Sequence, residues 1–571
     1  MRTLRRTFSR QICLHMSEYF KLNGRMGRTS SYSTIEKIND IAVNQNTKSF
    51  TSFDQVLIRR REEARRSIIV QVKDEKSHTD LLTYCLNFGD VNNTYYYTVD
   101  NDESRKKFIL IEFANISGSE KAIFNGQHSE LENILPVTSS FLWFRTDKKK
   151  SKLRTDIAPL NIDSNDLPSS YELDQIFSNS NSFSDDMILL YERTKLGEIG
   201  TRLRFITALQ LEASLKGLFH SCQVLPFGSS INSFGKKNCD LDLIFDFNEK
   251  KNIDSSRLMF HSKTLAGTSK IHNQRHLETI ADIIQYFLPG CCNTRRIFKA
   301  RVPIIKFKHE LSGLECDVSS TNLSGVYMSE LLYTFAAYDW RVCPLVFTVR
   351  YWAKEINLTN PAPGKWITNF MLTLLVLFHL QYEKIIPTLQ TLSKSKREKD
   401  KKIFIDNDYK MIDCGFLTDL NLLKDPETEP NNDTLLELLF KFFEFYSTFD
   451  FRLNAISLNS GTLIPKPVYD PLYIVNPLEK GLNVSKNVSQ EECNKMRIQF
   501  RNAAWNIECS INSINGTSKK WGLSHLIQSH ILNKDGFSKV QNMKGSSSTF
   551  VVKHLFTNVE ETDSVKKTEN V

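Results

Sequence analysis

The period of the apolar residues changes several times along this chain, and each change predicts a different element. Arg59 to Arg66 reads as a basic helix and Ser67 to Val72 as an apolar strand. Leu81 to Phe88 is helix-like, and Thr94 to Val99 and Lys107 to Phe113 read as strands, a β-α-β-β order. From Asp186 to His220, Leu189, Leu190, Leu196, Ile199, Leu209, Leu211, Leu215 and Leu218 recur mostly three or four apart, so a long amphipathic helical region is expected. After it, Leu241, Leu243 and Phe245 alternate with Asp240 and Asp242. In a strand, alternate residues share a face, which points both carboxylates the same way and the apolar side chains the other. A helix over His276 to Phe287 and a Pro289-Gly290 turn come next. Arg301 to Lys308 and Leu314 to Val318 then read as a hairpin closed by the His309 to Gly313 turn. Ser329 to Asp339, Cys343 to Glu355, Asn369 to Glu383 and Leu435 to Phe449 carry helical spacing.

Composition narrows this outline. A chain of 571 residues exceeds one hydrophobic core, so two to four domains are expected. The longest apolar run, Phe370 to Leu380, is about half the ~20 residues that cross a bilayer, so no membrane span is expected. The net charge of +9 favours a polyanionic partner. Eleven cysteines with no Cys-x-x-Cys spacing read as reduced thiols, not a disulfide frame or zinc site. The first 28 residues set Arg2, Arg5, Arg6, Arg10, Lys21, Arg25 and Arg28 against the single acid Glu18, the pattern of a mitochondrial transit peptide. Lys148 to Arg154 opens a low-complexity tether running to about Ser184. His272 and His276 stand four apart but lack a third ligand, so a helix-surface pair is expected there.

The β-α-β-β order resembles an RNA-recognition-motif fold, yet the stacking rings of such a reader are not in place. Ile68-Ile69-Val70 has no aromatic, and the strand Lys107 to Phe113 offers Phe108 and then Leu110. Base stacking needs those rings, so a protein-contact or dimerisation module is expected.

The chemistry gathers between Phe227 and Asp246. Two carboxylates one residue apart on a core strand repel and raise each other's pKa unless a cation lies between them. With Asp317 as a third carboxylate, the Gly228-Ser229 turn for phosphate oxygens, and cations further on, the set reads as two-metal phosphoryl transfer. Glycines at the turn permit close approach of backbone N–H groups to phosphate.

Phe227-Gly228-Ser229-Ser230, Gly235, Asp240-Leu241-Asp242 and Asp317, in this order, are similar to the DNA polymerase β-like nucleotidyltransferases. Within them the chain resembles the poly(A) polymerases and terminal uridylyltransferases. The basic leader, Trp366-Ile367-Thr368-Asn369-Phe370 and Asn483 to Ser489 point to the mitochondrial members of that family. The resemblance implies template-independent transfer of AMP from ATP to RNA 3′ ends, with release of pyrophosphate, in the mitochondrial matrix. It implies two Mg²⁺ or Mn²⁺ ions on Asp240, Asp242 and Asp317, with Asp317 also helping to deprotonate the RNA 3′-hydroxyl. Phe227, Gly228 and Ser229 would line the triphosphate, Asn322 would touch the sugar and base, and Ser329 would offer a hydroxyl nearby. Arg350 and Lys354 would meet the β- and γ-phosphates, Phe370 would stack on the base, and Glu479 would sit at its edge. Uridylyl-preferring relatives often carry a histidine three residues after this acid. Leu482 stands there instead, which favours adenine.

The expected fold is α+β: a nucleotidyltransferase palm of mixed sheet and helices, a helical poly(A)-polymerase-type domain, and a degenerate RNA-recognition-like module ahead of both. The expected boundaries are a transit peptide and linker over 1–40, the module over 56–147 as a homodimer contact, and a linker over 148–185. The palm follows over 186–328, then the helical domain over 329–535 with a base-recognition loop at 476–489, and a flexible tail over 540–571. RNA would enter over Arg295, Arg296, Lys299 and Lys308. A terminal uridylyltransferase or short oligo-adenylating enzyme is the alternative activity, and a catalytically silent RNA-binding scaffold is the alternative of another class.

Overall fold

A computed structural model describes residues 50–101, 104–128, 137–145, 158–162, 165–219, 222–247, 261, 269–300, 302–320, 323–360, 362, 364–405, 411–423, 431–513 and 522–527. The expected leader, the basic cluster Lys148 to Arg154, Asn322 and the tail lie outside the described residues.

The chain opens with helix α1 (Phe53–Arg65), started by a capping box in which Ser52 and Gln55 satisfy each other's backbone N–H. It begins six residues before the basic run, because Ser52 supplies the N-cap that charge patterning could not mark. Strand β1 (Ser67–Val72), helix α2 (His78–Cys85), strands β2 (Val91–Asn101) and β3 (Ser104–Phe113), helix α3 (Ile116–Phe124) and strands β4 (Phe141–Trp143) and β5 (Leu160–Ile162) then form one sheet. Its strand order is β4-β1-β3-β2-β5. Alternation divides its side chains between two cores. Ile68, Val70, Val72, Ile109, Ile111 and Phe113 pack under α2 and α3. Ile69, Tyr95, Tyr97, Val99, Phe108 and Leu110 join a core shared with the second sheet. The face on which an RNA reader would stack bases is thus buried within the molecule.

Helices α4 (Ser170–Ser178) and α5 (Phe183–Thr194) follow, and then α6 (Glu198–Leu215). The stretch expected as a tether therefore holds a helix, whose Leu173 and Phe177 are buried in the helical half of the protein. The single long helical region is two helices, broken at Lys195 to Gly197. Helix α6 is tied to the N-terminal sheet by a buried ionic network. Arg60 grips Glu198 at 2.6 and 2.8 Å, Arg202 reaches Glu112 at 2.9 Å and Glu198 at 2.7 Å, and Arg61 reaches Glu212 at 2.8 Å. Such pairs gain little over apolar packing, but removing one partner strands a buried charge, which costs about 3–5 kcal/mol. The network therefore fixes the angle between the two units.

The second sheet runs β6-β7-β10-β9-β8, from β6 (Gln223–Phe227), β7 (Leu241–Asp246), β8 (Cys291–Ile297), β9 (Ile304–His309) and β10 (Leu314–Ser319). Strands β7 and β10 pair in parallel and the other neighbours antiparallel. Helices α6 and α7 (Ser269–Phe287) cover one face, where Leu241, Leu243, Phe245, Ile305, Phe307, Cys316 and Val318 are buried. The hairpin expected around His309 to Gly313 forms, and Asp317 comes to lie beside Asp242. Strand β8 was not legible, since Cys291 to Ile297 has no apolar alternation.

The remaining helices, α8 (Ser324–Tyr338), α9 (Val342–Glu355), α10 (Asn369–Tyr382), α11 (Leu389–Lys394), α12 (Leu435–Thr448) and α13 (Gln490–Ser513), share one large core with α4 and α5. Among the described residues no helix is long and apolar enough to cross a membrane. The described cysteines are free. His276 packs between Phe219 and Phe247, a structural setting for the His272 pair.

The turn between β9 and β10 is held from two sides. Tyr97 donates to the Leu311 carbonyl at 2.9 Å, Phe141 meets His309 edge to face, and Val99 lies 3.0 Å from where a Cβ on Gly313 would stand. Gly313 has φ +70°, so a side chain there would meet both strain and a collision. His309 is fully buried beside Ser312, and burial brings its pKa down to about 3. His379, buried among Phe442 and Phe445, also falls to about 3 by burial. In the unfolded chain both titrate near 6.5, so below that pH the unfolded state binds protons that the folded state refuses. Stability present above pH ~6.5 is therefore lost as pH falls toward 3, at about 1.4 kcal/mol per pH unit for each histidine. Replacing His309 by Gln should remove about half of this acid sensitivity in urea melts from pH 7 to 5. An unchanged slope would contradict the assignment.

Candidate active site

The site begins as a row across the open face of the second sheet. Strand register sets Phe227 opposite Asp242, Asp242 opposite Asp317, Asp317 opposite Lys306, and Lys306 opposite Arg295. Paired residues share a face, so cations on the outer strands and carboxylates on the inner ones line one strip. Asp240 precedes β7 on the same side and is exposed.

Crowding shows in the ionisation of these groups. Burial, then the Asp317 and Asp240 charges, push the Asp242 carboxyl up to about 7. Burial also raises Asp317, although Lys306 holds it with 2.7 Å contacts to both carboxylate oxygens. Burial works against the Lys306 ammonium, but the bond to Asp317 and the nearby carboxylates win and its pKa rises. Among the described residues no three His, Cys, Asp or Glu side chains already stand at metal-binding spacing. Lys306 occupies one flank of Asp317. The donor set of hard carboxylate oxygens with a raised Asp242 fits divalent cations. Divalent-metal dependence goes with a nucleotidyltransferase palm.

The Gly-Ser turn is built against the carboxylates. Gly228 has φ +65°, and a Cβ there would stand 2.7 Å from an Asp242 carboxylate oxygen. Only glycine satisfies both limits. The Gly228 N–H donates to Ser329 Oγ at 2.7 Å, and that hydroxyl donates to the Gly325 carbonyl. Ser329, expected near the nucleotide, is buried beneath the turn as its brace. Phe227 packs on α8, its ring 2.9 Å from where a Gly325 Cβ would be. Beyond the turn, Ser233 and Asn238 take positive φ, backbone strain of the kind that collects at functional sites.

Three residues that the sequence reading gave no role to complete the site. Arg204, a fully buried cation on α6, donates to both the carbonyl and the sulfur of Cys239, the residue before Asp240. Its signal was a charge inside the apolar run Leu203 to Ile206. In the sequence Lys306 is one residue of a strand pattern that assigns it no chemistry. Lys236 lies close enough to Arg350 and Lys354 that, after burial, their charges are the main forces lowering its pKa.

Arg350 donates to the Phe234 carbonyl at 2.7 Å, and burial brings its pKa down to about 10, leaving it charged at neutral pH. Lys354, one turn on, pairs with Glu355 at 3.1 Å. Phe370 is exposed at the N-terminal end of α10, whereas Met371 to Gln381 are buried. A ring at the mouth of an otherwise buried helix is not a core residue. Glu479 accepts from Ser324 Oγ at 2.9 Å, which brings the loop from Asn476 to Leu482 against the first turn of α8. Arg295 and Lys308 share the open face with Lys306, while Arg296 bonds to Asp282 and Gln285.

Carboxylates on adjacent strands, a glycine turn beneath them and a facing helical half define a nucleotidyltransferase palm. Residues 183–337 match the family described as "Poly(A) RNA polymerase, mitochondrial-like, central palm domain", and residues 434–487 match "Cid1 family poly A polymerase". The chain is 42% identical over 477 residues to the mitochondrial poly(A) RNA polymerase of Drosophila melanogaster, covering 81% of this chain and 77% of the relative. It is 34% identical over 517 residues to that of Homo sapiens, covering 88% and 85%. The crystal structure of mtPAP in complex with ATPγS superposes with a TM-score of 0.73 at 32% identity, covering 84% of this chain and 99% of that one. The chain belongs to the mitochondrial poly(A) RNA polymerase family.

In metal-free protein, Asp242→Asn should relieve the like-charge row. A melting temperature raised by about 1 °C is expected for roughly 1 kcal/mol in a chain of 571 residues, together with loss of the stabilisation that added Mg²⁺ gives the unsubstituted protein. A lower melting temperature with the Mg²⁺ response intact would contradict this origin.

Proposed function

We infer that the protein extends RNA 3′ ends with AMP from ATP, without a template, and that the charged row from Arg295 to Asp242 carries this reading. The RNA 3′-oxygen attacks the α-phosphorus of ATP, the new O–P bond forms, the bond to the β-phosphate bridge breaks, and pyrophosphate leaves. Asp240, Asp242 and Asp317 would hold two divalent ions, Mg²⁺ or Mn²⁺, which supply Lewis acidity to the attacking hydroxyl and neutralise the leaving group. Asp317 lies between the metal side of the row and the cations Lys306 and Arg295, where the RNA end would arrive, and accepts the 3′-hydroxyl proton. Arg295, Lys306 and Lys308 set cations along the outer strands for backbone phosphates.

The turn at Gly228 and Ser229 faces the triphosphate beside Phe227, with Lys236, Arg350 and Lys354 around its outer phosphates. Phe370 stacks on the base and Glu479 reads its edge, with Asn322 at the sugar. A carboxylate accepts from the exocyclic amine of adenine, where uracil presents the O4 acceptor that would repel it, which favours ATP over UTP. The mitochondrial names of the relatives support action in mitochondria, and we place it in the matrix. Tyr84 and Phe124, exposed on the two helices that cover the outer side of the N-terminal sheet, support a homodimer contact there.

Primer extension tests this reading. On one RNA primer, ATP should be incorporated in preference to UTP, and Asp242→Ala or Asp317→Ala should lower the rate by 10³-fold or more, on the order expected for loss of metal catalysis. Preference for UTP, or unchanged extension by Asp242→Ala, would overturn it. Lys236→Ala should raise the KM for ATP about tenfold, the scale of one lost charge-assisted hydrogen bond. An unchanged KM would remove Lys236 from the triphosphate site.

A further inference from the structure

Helix α8 touches both ends of the nucleotide cleft. Its Ser329 accepts from the Gly228 N–H, and Gly325 receives the ring of Phe227, so this part of the helix sets the height of the phosphate turn. Its first residue, Ser324, is buried and donates from Oγ to Glu479 Oε1 at 2.9 Å, across 155 positions of sequence. The loop bearing Glu479 is itself firmly shaped. Asn476 Oδ1 accepts from the N–H groups of Leu478 and Glu479 at 3.0 Å each. The Asn476 N–H donates to the Leu482 carbonyl, and the Leu482 N–H returns to the Glu479 carbonyl, both at 2.9 Å. Backbone bonds thus place the Cα of Glu479, and the bond from Ser324 acts on its carboxylate.

We propose that Ser324 is a positioning residue for nucleotide choice: its hydroxyl fixes the Glu479 carboxylate at the base edge and sets the ATP-over-UTP preference. This rests on the reading of Glu479 as the group at that edge. A long, unbranched acid is poorly held by its own rotamers, and a carboxylate that rotates freely discriminates weakly between an amine and a carbonyl. A hydrogen bond to a charged group fixes one orientation. Because the donor sits on the helix that also braces the Gly228 turn, base edge and triphosphate are gauged from one rigid element. Ser324 touches no reacting atom, so its loss should weaken recognition without slowing the chemistry.

Steady-state incorporation of ATP and of UTP on one RNA primer tests this in five proteins: unsubstituted, Ser324→Ala, Ser324→Thr, Glu479→Ala and the double Ser324→Ala/Glu479→Ala. Ser324→Ala should raise the KM for ATP about tenfold, for the loss of one hydrogen bond to a charge, with kcat within about twofold. The ATP-over-UTP preference should shrink by a similar factor, and Ser324→Thr, which keeps a hydroxyl, should restore it. In the Glu479→Ala background the Ser324 substitution should change the preference less than about twofold, as a residue acting only through its partner must. If Glu479→Ala alters the preference and Ser324→Ala does not, the proposal fails and the base-edge reading survives. If Glu479→Ala leaves the preference unchanged, that reading fails and takes the proposal with it. A fall in kcat with unchanged preference, accompanied by a lower melting temperature, would show a merely structural serine and overturn the proposal.

Discussion

Asp242 and Asp317 face each other across a parallel strand pair, and their repulsion is the constraint on which the site depends. Strand pairing fixes their spacing whether or not a counter-charge is present, so the charge must be answered from outside the pair. In the metal-free protein Lys306 answers part of it at Asp317, while Asp242 moves toward its neutral form. Like charges held this close favour a cation between them, and they lie against the Gly228 turn. Gly228 shows how closely the parts are fitted, since a methyl group there would strike the Asp242 carboxylate.

Rigidity around this row comes from far along the chain. The hairpin between Lys306 and Asp317 is gripped at its turn by Tyr97, Phe141 and Val99 of the N-terminal sheet. The buried arginine and glutamate network holds that sheet on α6, and α6 in turn supplies Arg204 to the residue before Asp240. The face that could have read RNA is thereby committed to holding the catalytic strand. From the other side, α8 and Arg350 fasten the turn and the loop after it. Cleft and sheet are thus framed by two units that the sequence keeps apart.

Much of this was legible because the chemistry lay in local patterns. Alternation alone put Asp240 and Asp242 on one face, and the hairpin signal around Gly313 delivered Asp317 as the third carboxylate. Helix cores from Cys343 to Glu383 followed from period. What stayed hidden depends on long-range pairing: the opposition of Lys306 and Asp317, the approach of Lys236 to Arg350, and Arg204 under Cys239. Ser329 illustrates the limit most clearly. Its place beside the motif was legible, but whether its hydroxyl faced the nucleotide or the backbone of Gly228 is decided by how α8 packs. The stretch from Ser170 to Ser178 looked like a tether because its polar residues outnumber the two, Leu173 and Phe177, that anchor it.

For the carboxylate row to hold cations, the Lys306 ammonium must leave Asp317 when they bind. Crystals grown with Mn²⁺ and a non-hydrolysable ATP analogue, measured at the manganese edge, test this directly. Anomalous peaks touching Asp240, Asp242 and Asp317 are expected, with the Lys306 ammonium moved off Asp317. Manganese bound elsewhere, with the Lys306 to Asp317 bond intact beside a bound nucleotide, would contradict the account.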